Sequence, residues 1–170
     1  MAQGEFTDAI ALLKADHRKV ENLFAKFEKA TGASTKQKLC REICTELKIH
    51  TMIEEEIFYP ALRGKVEDDM LDEAYVEHDG AKVLVNDLES STPDADFYDA
   101  KVTVLSEEIE HHVKEEEAPG EGMFAQARKA GVDLVALRDQ MMARKEELMA
   151  QARGASLPIA RPSAINLVTA

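Results

Sequence analysis

Tryptophan is absent from this chain of 170 residues, and only three tyrosines and six phenylalanines supply its aromatic content. Glycine (8) and proline (5) are scarce as well. A β-sandwich or barrel draws on aromatic strands and many turn residues, so neither fits and a helical protein is left. Positive charge is short: 21 Lys and Arg stand against 33 Asp and Glu, a formal charge of −12. Such a surface repels a phosphate backbone, which sets nucleic acid aside as a partner. No run approaches eighteen apolar residues, so no segment reads as a membrane-spanning helix. The first ten residues lack the basic-then-apolar order of a secretory signal. Cysteine is limited to Cys40 and Cys44, four apart in a helical pattern, where disulfide geometry is poorly met. Two reduced, semi-buried thiols and a cytoplasmic location are expected.

What is present is 45% apolar and 32% charged, enough to fold and to bury a core in one domain of ordinary size. The five prolines (60, 93, 119, 158 and 162) and most glycines fall between or after periodic segments. Between them the spacing predicts helices over 7–30, 35–62, 67–90, 94–118 and 133–152, with a short helical turn near 121–129. Thr31-Gly32 closes the first, Pro60 with Gly64 closes or kinks the second, Ser90-Ser91-Thr92-Pro93 opens the fourth, and Pro119-Gly120 stops it. Short connections make neighbours antiparallel. The expected fold is all-α: an up-down-up-down four-helix bundle with an additional C-terminal helix. Residues 1–153 form the bundle domain, and 154–170 form an irregular tail, either flexible or laid on the bundle or a partner.

The apolar stripes carry the chemistry. The first runs Ile10, Leu13, His17, Val20, Phe24, Phe27, and the second Ile43, Leu47, His50, Glu54, Ile57, Ala61. The third runs Leu71, Ala74, His78, Ala81, Val85, Leu88, and the fourth Tyr98, Val102, Leu105, Ile109, His112, Glu116. Residues at i and i+4 share a helix face, so each His-x-x-x-Glu pair aims both side chains at one interior spot. The intervals repeat: 33 residues separate His17 from His50, and 34 separate His78 from His112. Two hairpins of one design thus bring four imidazoles and two carboxylates together. One histidine in a stripe is usually a satisfied core residue, and a Glu-rich face is usually solvated. Four stripes with the same interruption at matching intervals need another cause.

Two buried carboxylates repel each other and lose their hydration. No Lys or Arg shares the four stripes, whereas a metal cation offsets the charge and satisfies the imidazole nitrogens. Mixed imidazole and carboxylate donors suit iron, manganese or zinc over calcium or magnesium. The expected ligands are His17, His50, Glu54, His78, His112 and Glu116, shared by two metals with oxo, hydroxo or solvent completing the shell. His111 shares its stripe with Lys101, Glu108 and Glu115, a solvent face; Glu55 and Glu56 are expected to turn away. Asp16 and Glu77 precede ligand histidines and read either as acceptors for a ring N–H or as ordinary exposed acids. Tyr59 and Tyr75 stand near the pairs and are candidates to reach the metals.

Asp16-His17, His50-Thr-Met-Ile-Glu54-Glu55 running into Phe58-Tyr59-Pro60, Glu77-His78, and His112-Val-Lys-Glu-Glu116-Glu117 together resemble the hemerythrin-like family, which carries the HHE cation-binding domain. The resemblance covers roughly residues 5–150. It implies a non-haem di-iron centre, two irons with an oxo or hydroxo bridge, held by bridging carboxylates in a four-helix bundle; manganese and zinc rank behind iron. The Glu-x-x-His pattern of ferritin-like bundles is missing at the matching positions. Oxygen-carrying hemerythrins place a fifth histidine four residues after the third-helix histidine, where this chain has Lys82. Their last carboxylate is an aspartate five after the fourth-helix histidine, where this chain offers Glu116 at four and Glu117 at five. Two more similar irons with open positions follow, which points away from reversible dioxygen carriage. The expected small-ligand partner is dioxygen, peroxide or nitric oxide, bound or turned over by a monomer or weak homodimer. A peroxide-decomposing oxidoreductase falls within that range. The alternative is an iron- or redox-sensing or iron-centre repair module acting through a partner.

Overall fold

Asp8 begins the first helix by accepting a hydrogen bond from the Ala11 amide at 2.8 Å, and it also pairs with Arg128. Asp8→Ala is expected to lower stability by about 1 kcal/mol, the usual worth of such a cap, and the melting temperature by about 2–4 °C. A thermal melt checks it. The computed structural model describes residues 6–168; residues 1–5 and 169–170, the outer ends of the two expected segments, lie outside the described residues. The helices are α1 (Ala9–Lys29), α2 (Ala33–Ile53), α3 (Tyr59–Leu62), α4 (Asp68–Glu89), α5 (Tyr98–Glu117), α6 (Met123–Lys129) and α7 (Leu134–Gly154). A π-turn over Glu54–Phe58 joins α2 to α3. No strand occurs among the described residues, and no helix is long and apolar enough to cross a membrane.

Helices α1, α2, α4 and α5 form the ring of the bundle, each packed on its chain neighbours, with α5 closing against α1. Helix α7 lies across α1, α2 and the π-turn, and α6 packs on α5. The first, third and fourth stripes are buried along their whole length. The core nevertheless divides in two. One apolar cluster gathers Ile10, Leu13, Ile53, Phe58, Leu71 and Phe124; the other gathers Val20, Phe24, Leu47, Val85, Leu105 and Ile109. The polar layer of His17, His50, Glu54, His78, His112 and Glu116 lies between them.

The second stripe departs from expectation at its far end. Ile57 and Ala61 are only half-buried, while Phe58, Tyr59 and Leu62 are fully buried. In the π-turn the Tyr59 amide donates to the Glu54 carbonyl, five residues back. One extra residue in a turn rotates everything beyond it by about 100°. Pro60 is the physical cause: it has no N–H to donate, and its ring presses on the preceding turn. Gly64, at φ +73°, then ends α3. The fourth bundle helix also starts later than expected, at Tyr98. Residues 92–97 form consecutive turns, and Phe97 stands in the left-handed region at φ +64°.

The tail is a strap. Leu157 is buried, and Asn86 of α4 holds Ala160 by two hydrogen bonds, Nδ2–H to its carbonyl at 2.7 Å and Oδ1 from its amide at 3.0 Å. The amides of Ser163, Ala164 and Ile165 all donate to the Asp79 carboxylate, at 2.8, 2.6 and 2.7 Å.

Candidate metal centre

Helical spacing delivers all six residues to one plane of the bundle, and none is more than 6% exposed. The Nε2 atoms of His17 and His50 are 3.2 Å apart, and so are those of His78 and His112. Glu54 Oε2 lies 3.2 Å from Nε2 of both His50 and His78. Glu116 spans the same divide, with Oε2 at 3.4 Å from His17 Nε2 and Oε1 at 3.6 Å from His112 Nε2. Two donor sets result: His17, His50, Glu54 and Glu116, and Glu54, His78 and His112. Glu54 belongs to both.

Each imidazole turns its other nitrogen to a carboxylate. His17 Nδ1 meets Glu117 at 2.7 Å, His78 Nδ1 meets Glu55 at 3.0 Å, and His112 Nδ1 meets Glu77 at 2.6 Å. His50 Nδ1 lies more loosely, 3.5 Å from Asp16. These partners place the proton on Nδ1 and aim the Nε2 lone pair inward. Glu77 is therefore an acceptor for a ring N–H, while Asp16 stands 3.5 Å from His50 Nδ1 without bonding it; Asp16 is 7% exposed and Glu77 half-buried, so neither is an ordinary exposed acid. Glu55 does not turn away as expected, because the π-turn that begins at Glu54 carries it across to His78. Glu117, five after His112, serves His17 and not the centre. Glu56 does face solvent, and so does His111, whose side chain is 65% exposed against Glu77 and Glu115.

The π-turn also decides which tyrosine reaches the centre. The Tyr59 hydroxyl donates to Glu116 Oε1 at 2.9 Å and lies 3.3 Å from Glu54 Oε2, 3.1 Å from His78 Nε2 and 3.4 Å from His112 Nε2. Tyr75 stays half-buried outside it, ring to ring with Tyr59 at 5.4 Å. The sequence left Tyr59 and Tyr75 as equal candidates. Phe124 of α6 closes the other side, stacked on His17 with centroids 5.9 Å apart and planes 9° from parallel.

The electrostatics suit cations. Burial alone lowers a histidine's pKa, yet the Glu54 charge and Asp16 push His50 up to about 10. His78, likewise buried, is pushed up to about 9 by hydrogen bonds to Glu54 and Glu55. Burial favours the neutral form of Glu54, and His50 and His78 overcome it and hold its carboxyl well below the usual range. Burial, then the charges of Glu116 and Glu54, lift Tyr59 well above an ordinary phenol. With Nδ1 protonated, a neutral pair sets lone pair against lone pair at 3.2 Å, and a doubly protonated pair sets charge against charge. One proton shared within a pair makes an N–H···N bond, and a cation between the two nitrogens takes that proton's place. Glu54 Oε1 and Glu116 Oε2 are buried with no hydrogen-bond partner. Two nitrogens each about 2.1 Å from one cation, at 90–109°, lie roughly 3.0–3.4 Å apart, which is the spacing observed. The residues fit.

Comparison with known proteins bears on the same point. Residues 8–127 match the family model of the hemerythrin HHE cation binding domain. The chain belongs to this hemerythrin family. Its fold is shared with a crystal structure of a hemerythrin HHE cation binding domain-containing protein from Mycobacterium kansasii. The TM-score is 0.70 over 89% of this chain and 96% of that one, at 19% identity. A DNA nickase of Nostoc sp. (strain PCC 7120) is 27% identical over 107 residues, 63% of this chain. The matched stretch is only 30% of that relative's length, so the chain spans under a third of it. As a hemerythrin-family domain, the protein is a metal-binding helical bundle whose His/Glu groups are able to hold a metal.

Proposed function

We propose that this hemerythrin-family protein is a non-haem di-iron protein that binds or reacts with dioxygen, peroxide or nitric oxide. The carrying observation is the pair of donor sets that share Glu54, each closed by two imidazoles 3.2 Å apart. His17 and His50 would hold one iron and His78 and His112 the other, with Glu54 and Glu116 common to both. Iron bound there supplies electrons to, or accepts them from, a small ligand.

The chain's own residues narrow the ligand. All six donors are at most 6% exposed, and Phe124 stacks on His17 with Phe58 behind it, which favours a species of a few atoms. Tyr59 keeps its proton and holds its O–H against Glu116, beside His78 and His112 of the second donor set. Outer carboxylates bond Nδ1 of His17, His78 and His112 and hold those rings in one tautomer, so their inward nitrogens are ready without rearrangement. The same wall excludes bulk water from the centre.

The test is an iron-loaded preparation with metal analysis and optical titration. Two iron equivalents and a visible or near-ultraviolet charge-transfer band that shifts on adding azide or peroxide are expected. Tyr59→Phe should retain both irons and weaken azide binding about tenfold or more, the worth of a hydrogen bond to a charged group. A fully loaded protein whose spectrum ignores azide, peroxide and nitric oxide would refute the proposal.

A further inference from the structure

Beyond each outer carboxylate stands a basic side chain. Glu117 is held by Arg18, Asp16 by Lys145, Glu77 by His111, and Glu55 by Lys82. The Arg18 and His111 side chains are more than half exposed, and Lys145 is mostly covered. Lys82 differs: it is 6% exposed and shared between two acids. Its Nζ lies 2.7 Å from Glu55 and 3.0 Å from Asp79. Asp79 is fully buried and takes the three strap amides of residues 163–165. An unbroken line of contacts therefore runs from the strap through Asp79, Lys82 and Glu55 to His78.

We propose that Lys82 and Asp79 are positioning residues for His78, and that the seating of the C-terminal strap sets how strongly Glu55 grips that imidazole. This rests on the reading that His78 holds a cation, and it adds a regulation of one half of the centre. With the strap seated, three amides take up the charge of Asp79, and Glu55 is divided between Lys82 and the His78 N–H. With the strap lifted, Asp79 loses those donors. Water replaces those amides only in part, so the Asp79 charge, no longer spread over three fixed donors, draws Lys82 to itself more strongly. Glu55 then accepts from His78 alone, the imidazole becomes a more basic donor, and its cation is held more tightly. Coupling of this kind is reciprocal: a cation between Glu54, His78 and His112 loosens the strap. His17 and His50 have no such line to the strap. The two halves, alike in their inner donors, become inequivalent through their outer ones.

The experiment uses the full chain with Lys82→Met, which frees Glu55, and Asn86→Ala, which unseats the strap at Ala160 without touching Lys82. Iron titration, Mössbauer spectra and amide hydrogen exchange are read together. In Lys82→Met the affinity for one of two irons should rise about tenfold, the lower end of what outer partners contribute, with the other unchanged. Asn86→Ala should move the same iron in the same direction by less. One of two quadrupole doublets should shift in each variant, and the amides of Ala160, Ser163, Ala164 and Ile165 should exchange faster in the iron-loaded parent than in the metal-free one. Equal changes at both irons, or strap exchange indifferent to loading while two irons are bound, would overturn the coupling and leave the di-iron reading standing. A parent chain that binds no cation would overturn both.

Discussion

Glu54→Ala is expected to leave the purified protein with close to none of its two cations, while His17→Ala and His112→Ala each keep one. The difference comes from position. Glu54 Oε2 stands 3.2 Å from an imidazole nitrogen of each donor set, whereas His17 and His112 each serve one. Loss of an outer partner already costs about 10–100-fold in affinity, and loss of a shared inner carboxylate costs more at both places at once. It also leaves Glu116 as the single inner negative charge against two dications, so neither site is neutralised. Glu56→Ala, two residues on and facing solvent, is the control and should retain full loading. Metal content by elemental analysis reads the result, with circular dichroism confirming that helicity is kept. A Glu54→Ala protein that still holds two equivalents would show that the carboxylate is not shared.

Stripping the cations should lower the melting temperature by roughly 8–16 °C for each site. A site filled at a thousand times its dissociation constant contributes about 4 kcal/mol. For a chain of this size each kcal/mol moves the midpoint by about 2–4 °C. The metal-free protein should also show an alkaline decline that the loaded protein lacks. His50 and His78 have folded values of about 10 and about 9, against an ordinary 6.5. A histidine raised on folding contributes stability that is complete below 6.5 and is lost as pH rises through the folded value. The metal-free protein therefore weakens between about pH 6.5 and 10. Glu54, depressed on folding, acts at the other end: its contribution is present above its ordinary 4.5 and is lost as pH falls toward its lower folded value. A bound cation takes the place of the protons on His50 and His78, so loading removes the alkaline slope and releases protons. Melting curves from pH 5 to 10, with and without chelator, check this. Parallel curves would mean that the imidazoles do not meet the cations.

Much of the site was legible because a helix converts spacing directly into direction. His17, His50, Glu54, His78, His112 and Glu116 could be chosen over His111 and Glu56 from the phase of the surrounding apolar residues. Where the chain stays α-helical, in α1, α4 and α5, every stripe residue is buried as its phase demands. The reading slipped where the period changed. Beyond Glu54 the π-turn adds one residue, so Phe58, Tyr59 and Leu62 replace Ile57 and Ala61 on the inner face, and Glu55 swings to His78. The start of α5 slipped for a similar reason, since a left-handed Phe97 and consecutive turns leave no periodic signal.

By itself, the order of apolar and polar residues determined an all-helical bundle of antiparallel neighbours and the six side chains that meet inside it. Both follow from contacts between residues three and four apart, which sequence records explicitly. Tertiary structure alone decided the rest: Tyr59 at the centre, a carboxylate behind each imidazole, and the strap on Asp79. Those contacts join residues as much as 100 positions apart, as His17 and Glu117 are, and no local period encodes such a distance. They depend on how rigid helices are rotated and stacked, a choice made by the packing of whole faces and not by any one segment.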